Sequence, residues 1–110
     1  MPEQKYKVPQ SVKANAKLGL KKRAEASPSN KGGTEVGVNR ARQLIEQEYV
    51  DLATVKAMHS FFSRHAVDKS SKAWKEAEAK GEWSKGKIAW FLWGSDTAAS
   101  WAKKIAEANR

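Results

Sequence analysis

Histidine and acidic side chains are the residues of this chain that a metal ion or an acid–base step would use first. His59 and His65 are six positions apart. That spacing is a rotation of about 240° on a helix, so the two rings cannot bind one ion together. Asp68 is close enough in sequence to join His65, but two ligands are too few for a metal site. The chain has no cysteine, so it has no thiolate ligands or disulfides. We therefore predict no metal ion and no cofactor.

Residues for nucleophilic catalysis or phosphate transfer do not form a complete arrangement. Ser60 and Ser63 lie near the histidines in sequence, but no nucleophile elbow and no paired carboxylates accompany them. The sequence KGGT at 31–34 lacks the spacing of a phosphate-binding glycine loop. We predict that the protein is not an enzyme.

Basic side chains are the strongest chemical signal in the sequence. The 110 residues have a net charge of +9, and this charge is unevenly distributed. Residues 1–33 contain eight lysines and arginines against two acids, residues 34–69 five of each, and residues 70–110 eight against five. A basic arm beside a neutral middle indicates an anionic partner. The alternative is a soluble protein with a lysine-rich surface.

Two groups of side chains are the candidate contacts to nucleic acid. The first is a lysine stripe on an amphipathic helix predicted over 11–26, with the cations beside it: Lys13, Lys17, Lys21, Lys22 and Arg23. The second lies on a helix pair predicted over 35–66: Arg40, Arg42 and Gln43 on its first helix, and Lys56, Ser60 and Arg64 on the outer face of its second. Small residues and cations on such a face can approach a groove, while the others reach phosphates.

The helix pair at 35–66 has part of the signature of a helix-turn-helix unit. Asp51 is a natural N-cap, and Val50 and Val55 flank it as a hydrophobic staple would. Ile45, Tyr49 and Val55 have the spacing at which such helices cross closely. However, tyrosine is a poor turn residue and isoleucine is bulkier than ideal. A plain helical hairpin with a solvated outer face fits equally well, and the basic arm favours nucleic acid.

The remaining elements indicate an all-α protein, a compact bundle of four to five short helices. We predict a flexible basic tail over 1–10, a single helical domain over 11–110 and a loop at 27–33. Thr34, Ser84 and Ser95 are expected to cap helices. Gly19 should weaken the first helix by about 1 kcal/mol relative to alanine. The predicted core is Val38, Leu44, Ile45, Leu52, Val55, Met58, Phe62, Ile88, Trp90, Leu92, Trp101 and Ile105.

The five tryptophans divide into two sets. Trp90, Trp93 and Trp101 lie in apolar surroundings, and a chain of this size needs such large side chains in its core. Trp74 and Trp83 lie among lysines, where the alternatives are a stacking platform for bases, a partner surface or the edge of the core.

No stretch of the sequence is typical of a secretory signal or a membrane span. Residues 1–5 lead into polar sequence, and the longest apolar run covers only 88–93, far short of the roughly 20 residues needed to cross a bilayer. We expect a soluble protein without a membrane partner.

Several segments together form a recognisable pattern. They are GGTxVGVxRARQL at 32–44, Phe62, RH at 64–65, VDK at 67–69, GKIAWxLWG at 86–94, Asp96, and WA at 101–102. This pattern resembles a small helical domain encoded by tailed bacteriophages, either free-standing or attached to head-assembly or prohead-protease-type proteins. The likeness covers roughly residues 11–104. Ser95 stands where that family usually repeats glycine, and Ala66 stands where an acid usually follows the histidine.

The resemblance implies a phage protein with a compact helical fold, acting in the host cytoplasm or in the virion. It brings no established activity, so no catalytic residues are carried over. Together with the charge, it leads us to expect a non-enzymatic nucleic-acid-binding protein that acts mainly through the phosphate backbone. The alternative is a virion or host-interaction protein that binds another phage or host protein through an exposed surface at Trp74 and Trp83.

Overall fold

The computed structural model of the protein describes residues 4–26 and 35–109. In chain order its elements are β1 (Lys5–Lys7), α1 (Gln10–Glu25), α2 (Glu35–Glu46), β2 (Tyr49–Asp51), α3 (Leu52–His65), a 3₁₀ helix (Ala66–Ser70), α4 (Lys72–Ala79), α5 (Lys85–Leu92) and α6 (Ser95–Ala108). The predicted all-α fold is confirmed, with six α-helices in the described part of the chain instead of four or five. Every helix within these ranges is too short or too polar to cross a membrane.

Side-chain caps fix the start of three helices. Asp51 Oδ1 accepts a hydrogen bond from the Thr54 amide at 2.9 Å, and Ser84 Oγ accepts one from the Lys87 amide at 3.1 Å. Both caps were predicted from the sequence. Ser71 Oγ, which was not predicted as a cap, accepts from the Trp74 amide at 3.2 Å. The hydrogen bonds from Thr54 hold the pKa of Asp51 below its ordinary value. The predicted cap Thr34 and the loop at 27–33 lie outside the described residues.

Residues 5–10 belong to the folded domain, so the predicted tail over 1–10 is wrong for this part. β1 pairs antiparallel with β2, placing Tyr6 opposite Val50. The Val8 amide donates to the Glu48 carbonyl at 2.9 Å, and the Val8 side chain is 1% exposed. Three-residue strands are too short for an alternating pattern to show, which is why the sequence did not reveal this ribbon.

Helix α1 lies at the centre of the fold, where it packs against α5, α2 and α6. Gly19 lies at its crossing with α5, and a Cβ atom there would be 2.7 Å from the backbone nitrogen of Leu92. Helix α3 packs mainly against α6, and the described parts of α2 and α3 make few contacts with each other. The two helices of the predicted pair therefore exist, but the close crossing of a helix-turn-helix unit does not form.

Most of the predicted core residues are buried, namely Leu44, Val55, Met58, Phe62, Ile88, Trp90 and Leu92. Val38, Ile45, Trp101 and Ile105 are half-buried against this core, and Leu52 is also half-buried. Three further residues, Val8, Phe61 and Trp74, are buried although helical periodicity did not place them in the core. The reason differs for each residue. Val8 follows the strand β1, and Phe61 faces α5 beside Phe62. Trp74 is the buried residue of the short helix α4.

The junction between α5 and α6 departs from the sequence prediction. Gly94 is the N-cap of α6 and has a φ of 107°, and Ser95, the expected cap, is the first residue of the helix. Ser95 has a φ of 64°, in the left-handed region that costs residues with a Cβ atom about 1 kcal/mol. The prediction that Ser95 caps α6 is therefore wrong, because no side chain accepts a hydrogen bond at that cap.

Replacing Ser95 by glycine should stabilise the protein. We expect Ser95→Gly to raise the free energy of unfolding by about 1 kcal/mol, because glycine adopts a positive φ without steric cost. Ser95→Ala keeps the Cβ atom and serves as the matched control, with no gain expected. Urea titration followed by tryptophan fluorescence measures both. A gain with alanine equal to that with glycine would show that backbone strain is not the cause.

Candidate nucleic-acid interface

Lys13 is engaged inside the protein and does not face a partner. Its ammonium donates to the carbonyl oxygens of Leu44 at 2.8 Å, Ile45 at 3.2 Å and Gln47 at 2.6 Å. These carbonyls lie at the C-terminal end of α2, where the helix has no further amides of its own to donate to them. A lysine ammonium has three donors, and all three are used here. The predicted phosphate contact of Lys13 would therefore require its ammonium to leave these three carbonyls.

Arg40 and Gln43 are directed toward their own fold in the same way. The Arg40 guanidinium is half-buried over the ring of Trp93, 5.3 Å from its centroid, and donates to Gln43 Oε1 at 2.5 Å. Burial lowers the pKa of Arg40, and the nearby charge of Asp51 opposes this effect. An arginine stacked and hydrogen-bonded in this way supports the α2–α5 packing. It was predicted as a phosphate contact because the sequence alone does not show its neighbours.

The Lys22 ammonium also has partners within the protein. Its ammonium lies 3.8 Å from the Glu25 carboxylate and 5.6 Å from the centroid of the Trp83 ring. The side chain is half-buried. Lys22 therefore contributes less to an external anion site than its position in the sequence suggested.

Three of the predicted cations on α1 and α2 keep their side chains in solvent. Lys17, Lys21 and Arg42 are exposed, and none of them has a carboxylate partner among the residues that the structure describes. Arg23 and Arg42 line one open cavity of about 360 Å³ with Glu35, Val38 and Asn39. We refer to Lys17, Lys21, Arg23 and Arg42 as the α1–α2 basic patch.

The antiparallel arrangement of α1 and α2 explains how the patch is assembled. Lys13, in the first turn of α1, reaches the last carbonyls of α2, and Arg23, near the end of α1, lies beside residues 35–42 of α2. Lys17 and Lys21 follow Lys13 at intervals of about one helical turn. Each step of four residues turns the side chain about 40° further round α1, so Lys17 and Lys21 face solvent, and Lys21 lies about 200° from Arg23 around the helix. Arg23 and Arg42 therefore form the cavity end of the patch, and Lys17 and Lys21 form its solvent-facing part. The sequence missed Asn39, whose three-residue spacing from Arg42 places it on the same face.

The predicted contacts on α3 form a separate surface. Lys56, Ser60 and Arg64 are exposed at spacings of four residues, as predicted for an outward helix face. However, α3 packs mainly against α6, whereas the basic patch is built from α1 and α2. The structure therefore does not combine the two predicted groups into one helix-turn-helix surface.

A second cavity, beside α4, is less suited to a polyanion. It has a volume of about 480 Å³, and its lining combines Lys80 and Lys85 with Asp68, Glu76 and Glu82. Three acids against two lysines give this cavity no excess of positive charge. The cavity of the basic patch, by contrast, has two arginines against one glutamate. Of these two cavities, only that of the basic patch favours an anion.

The two tryptophans proposed as a partner surface are not equivalent. Trp74 is 6% exposed, so its assignment to an exposed surface is wrong. Trp83 is half-buried, with its ring centroid 4.5 Å from that of Phe91. Lys22 and Lys87 lie over the Trp83 ring, at 5.6 and 4.6 Å from its centroid. Trp83 is thus the only one of the pair that a partner can reach.

The titratable residues form pairs whose evident roles are structural. His65 Nδ1 lies 3.1 Å from Asp68 Oδ2, and within the described ranges no three His, Cys, Asp or Glu residues converge on a possible metal position. Asp96 Oδ1 accepts from Lys69 at 2.7 Å and from Trp90 Nε1 at 2.9 Å. The hydrogen bond from Lys69, with a smaller contribution from Trp90, holds the pKa of Asp96 below its ordinary value.

No protein-family model, curated protein or solved structure matches the chain. The assignment of a function therefore depends on the residues and the geometry of the surfaces described above.

Proposed function

We propose that this is a non-enzymatic nucleic-acid-binding protein that acts mainly through contacts to the phosphate backbone. The observation that supports it is the α1–α2 basic patch, where Lys17, Lys21 and Arg42 project into solvent from two packed helices without carboxylate partners in the described chain. Arg23 and Asn39 line the cavity beside Arg42. Arginine and lysine on rigid helices are the usual ligands of backbone phosphates.

Solvated cations of this kind favour a polyanion over an acidic protein patch. A nucleic acid carries a layer of condensed counterions, and each cation that replaces one releases it to solvent. This entropy gain is available to Lys17, Lys21 and Arg42 because they have no ion pair to break among the described residues. Lys13 and Arg40 would first have to leave their carbonyl and aromatic partners.

The resemblance to the tailed-phage domain supports a phage-type protein acting in the host cytoplasm or in the virion. The alternative is a phage or host protein bound through Trp74 and Trp83. Trp74 cannot contribute to such a surface, because its ring is buried. Trp83 remains with its ring against Phe91. The basic patch is therefore the better candidate for the main interaction surface.

Neutralising the patch should weaken binding to all sequences alike. We expect the triple variant Lys17→Gln, Lys21→Gln, Arg42→Gln to flatten the slope of log K against log salt by about 2.7, that is, about 0.9 for each lost phosphate contact. Fluorescence anisotropy with labelled DNA of several sequences, measured over a series of salt concentrations, gives this slope.

The matched control removes the same charge from α4. Lys72, Lys75 and Lys80 are exposed, and α4 packs only against α5 and the 3₁₀ helix among the main contacts of the described fold. Changing these three lysines to glutamine should leave most of the slope intact. Equal losses in the two triple variants would show that net charge alone drives binding. A wild-type protein that binds neither DNA nor RNA at low salt would refute the proposal, and recovery of a protein partner that depends on Trp83 would establish the alternative.

A further inference from the structure

We infer that the α1–α2 basic patch takes double-stranded rather than single-stranded nucleic acid. This inference rests on the proposed function and specifies the substrate class of the same site. It depends on where the aromatic side chains of the protein lie, because single strands and duplexes are bound by different combinations of groups. Single-strand binding surfaces combine a cationic groove with aromatic rings on which successive bases stack.

Every aromatic residue of the chain lies in the described part, so each ring on which a base could stack has a known position. Five are buried: Phe61, Phe62, Trp74, Trp90 and Trp93. Four are half-buried against the core: Tyr6, Trp83, Phe91 and Trp101. The remaining ring is that of Tyr49, which is 49% exposed. None of these ten side chains lines the cavity of the basic patch.

Trp83 is the ring closest in character to a stacking platform, and its surroundings argue against that role. The Lys87 ammonium lies 4.6 Å from the ring centroid and the Lys22 ammonium 5.6 Å from it. Phe91 packs on the same ring, at 4.5 Å between centroids. A base would have to displace these groups before it could stack, and Lys87 would leave its 3.8 Å ion pair with Glu78 as well.

Tyr49 is exposed but stands alone. It belongs to β2, opposite Lys7 of β1, beyond the C-terminal end of α2. The cavity of the basic patch instead involves residues 35–42 of α2. One tyrosine separated from the cations by the last turn of a helix does not form a row of rings along a strand. Tyr49 therefore does not complete a single-strand site.

The cations themselves suit a rigid double helix. Lys17 and Lys21 are separated by a rise of about 6 Å along α1, and Arg42 stands on a helix packed about 8–10 Å away. The packing of α1 on α2 fixes the backbone positions of these cations before binding. A duplex also presents its phosphates at fixed positions and at high charge density, whereas a single strand has to be ordered. Because no base stacking is available to offset the free-energy cost of ordering a single strand, the patch favours the duplex.

The test compares the full-length protein on a labelled DNA duplex of about 20 base pairs and on one of its strands, at about 50 mM and about 200 mM salt. We expect the duplex to bind at least about tenfold more tightly at either salt, with a slope near −0.9 per contact. Tryptophan emission should change little on binding. Trp83→Phe, which keeps a ring against Phe91, and Tyr49→Ala should each leave the duplex affinity within about twofold of wild type.

The outcomes separate this inference from the function on which it rests. Equal or tighter binding of the single strand would overturn the inference and leave the nucleic-acid function standing. So would strong tryptophan quenching that is lost in Trp83→Phe. Binding of neither probe at low salt would refute both the function and the inference. A duplex preference that disappears in the Lys17, Lys21 and Arg42 triple variant, but not in the α4 control, would support both.

Discussion

Gly19→Ala should lower the free energy of unfolding by about 3 kcal/mol, although alanine is the better helix former. An added Cβ atom would lie 2.7 Å from the nitrogen of Leu92, 2.9 Å from the carbonyl carbon of Phe91 and 3.1 Å from the Leu92 Cα. All three are backbone atoms, so no side chain can rotate away and α1 must separate from α5. Such overpacking costs about 1–3 kcal/mol or more. Urea titration followed by circular dichroism at a helical wavelength measures the loss.

The sign of this change distinguishes the two effects. Helix propensity alone predicts that Gly19→Ala stabilises the protein by about 1 kcal/mol. Gly37→Ala is the matched control, because it makes the same replacement in α2 and its Cβ atom would meet only side-chain atoms, Trp93 Nε1 at 3.4 Å and Leu92 Cδ1 at 3.6 Å. We expect a clearly smaller loss there. A Gly19→Ala protein as stable as wild type would show that the two helices do not touch at this point.

Gly19 also shows what the sequence alone can establish. Local signals placed the helices well: Asp51 and Ser84 cap the helices they were predicted to cap, and Val50 and Val55 are both buried beside the first of these caps. These interactions span three to five residues, so the sequence contains them directly. The same reasoning identified Gly19 only as a residue of low helix propensity. Its function in packing depends on α5, which lies about seventy positions later in the chain.

Long-range contacts account for the other differences between expectation and structure. The β1–β2 ribbon joins Lys5–Lys7 to Tyr49–Asp51, and no periodic pattern marks strands of three residues. The lysine stripe on α1 looked uniform in the sequence. The structure divides it, because the ammonium of Lys13 is held by carbonyls of α2 while Lys17 and Lys21 remain exposed. Charge identified the candidate cations, and only packing shows which of them are available to a partner.

Trp93→Ala should destabilise the protein more than Trp83→Ala, with a loss of about 3–5 kcal/mol in the free energy of unfolding. The Trp93 ring is 8% exposed and is stacked on Phe61, with centroids 4.5 Å apart and ring planes within 7° of parallel. Arg40 covers it, at 5.3 Å from the guanidinium carbon to the ring centroid. Truncation leaves a cavity between α3 and α5 and removes the aromatic surface beneath a half-buried cation. Chemical denaturation measures the loss, and near-ultraviolet circular dichroism reports the missing stack.

Trp83→Ala is the control, because it removes the same side chain from a site at the edge of the core. Trp83 is half-buried and packs on Phe91 with lysines over its ring. We expect a smaller loss, about 1–2 kcal/mol, since less apolar area leaves the core and solvent can fill the space. Equal losses at the two positions would contradict the burial difference on which this prediction depends. Nucleic-acid binding by folded Trp83→Ala should match wild type, because the stacking of Trp83 on a base has no part in the proposed phosphate contacts.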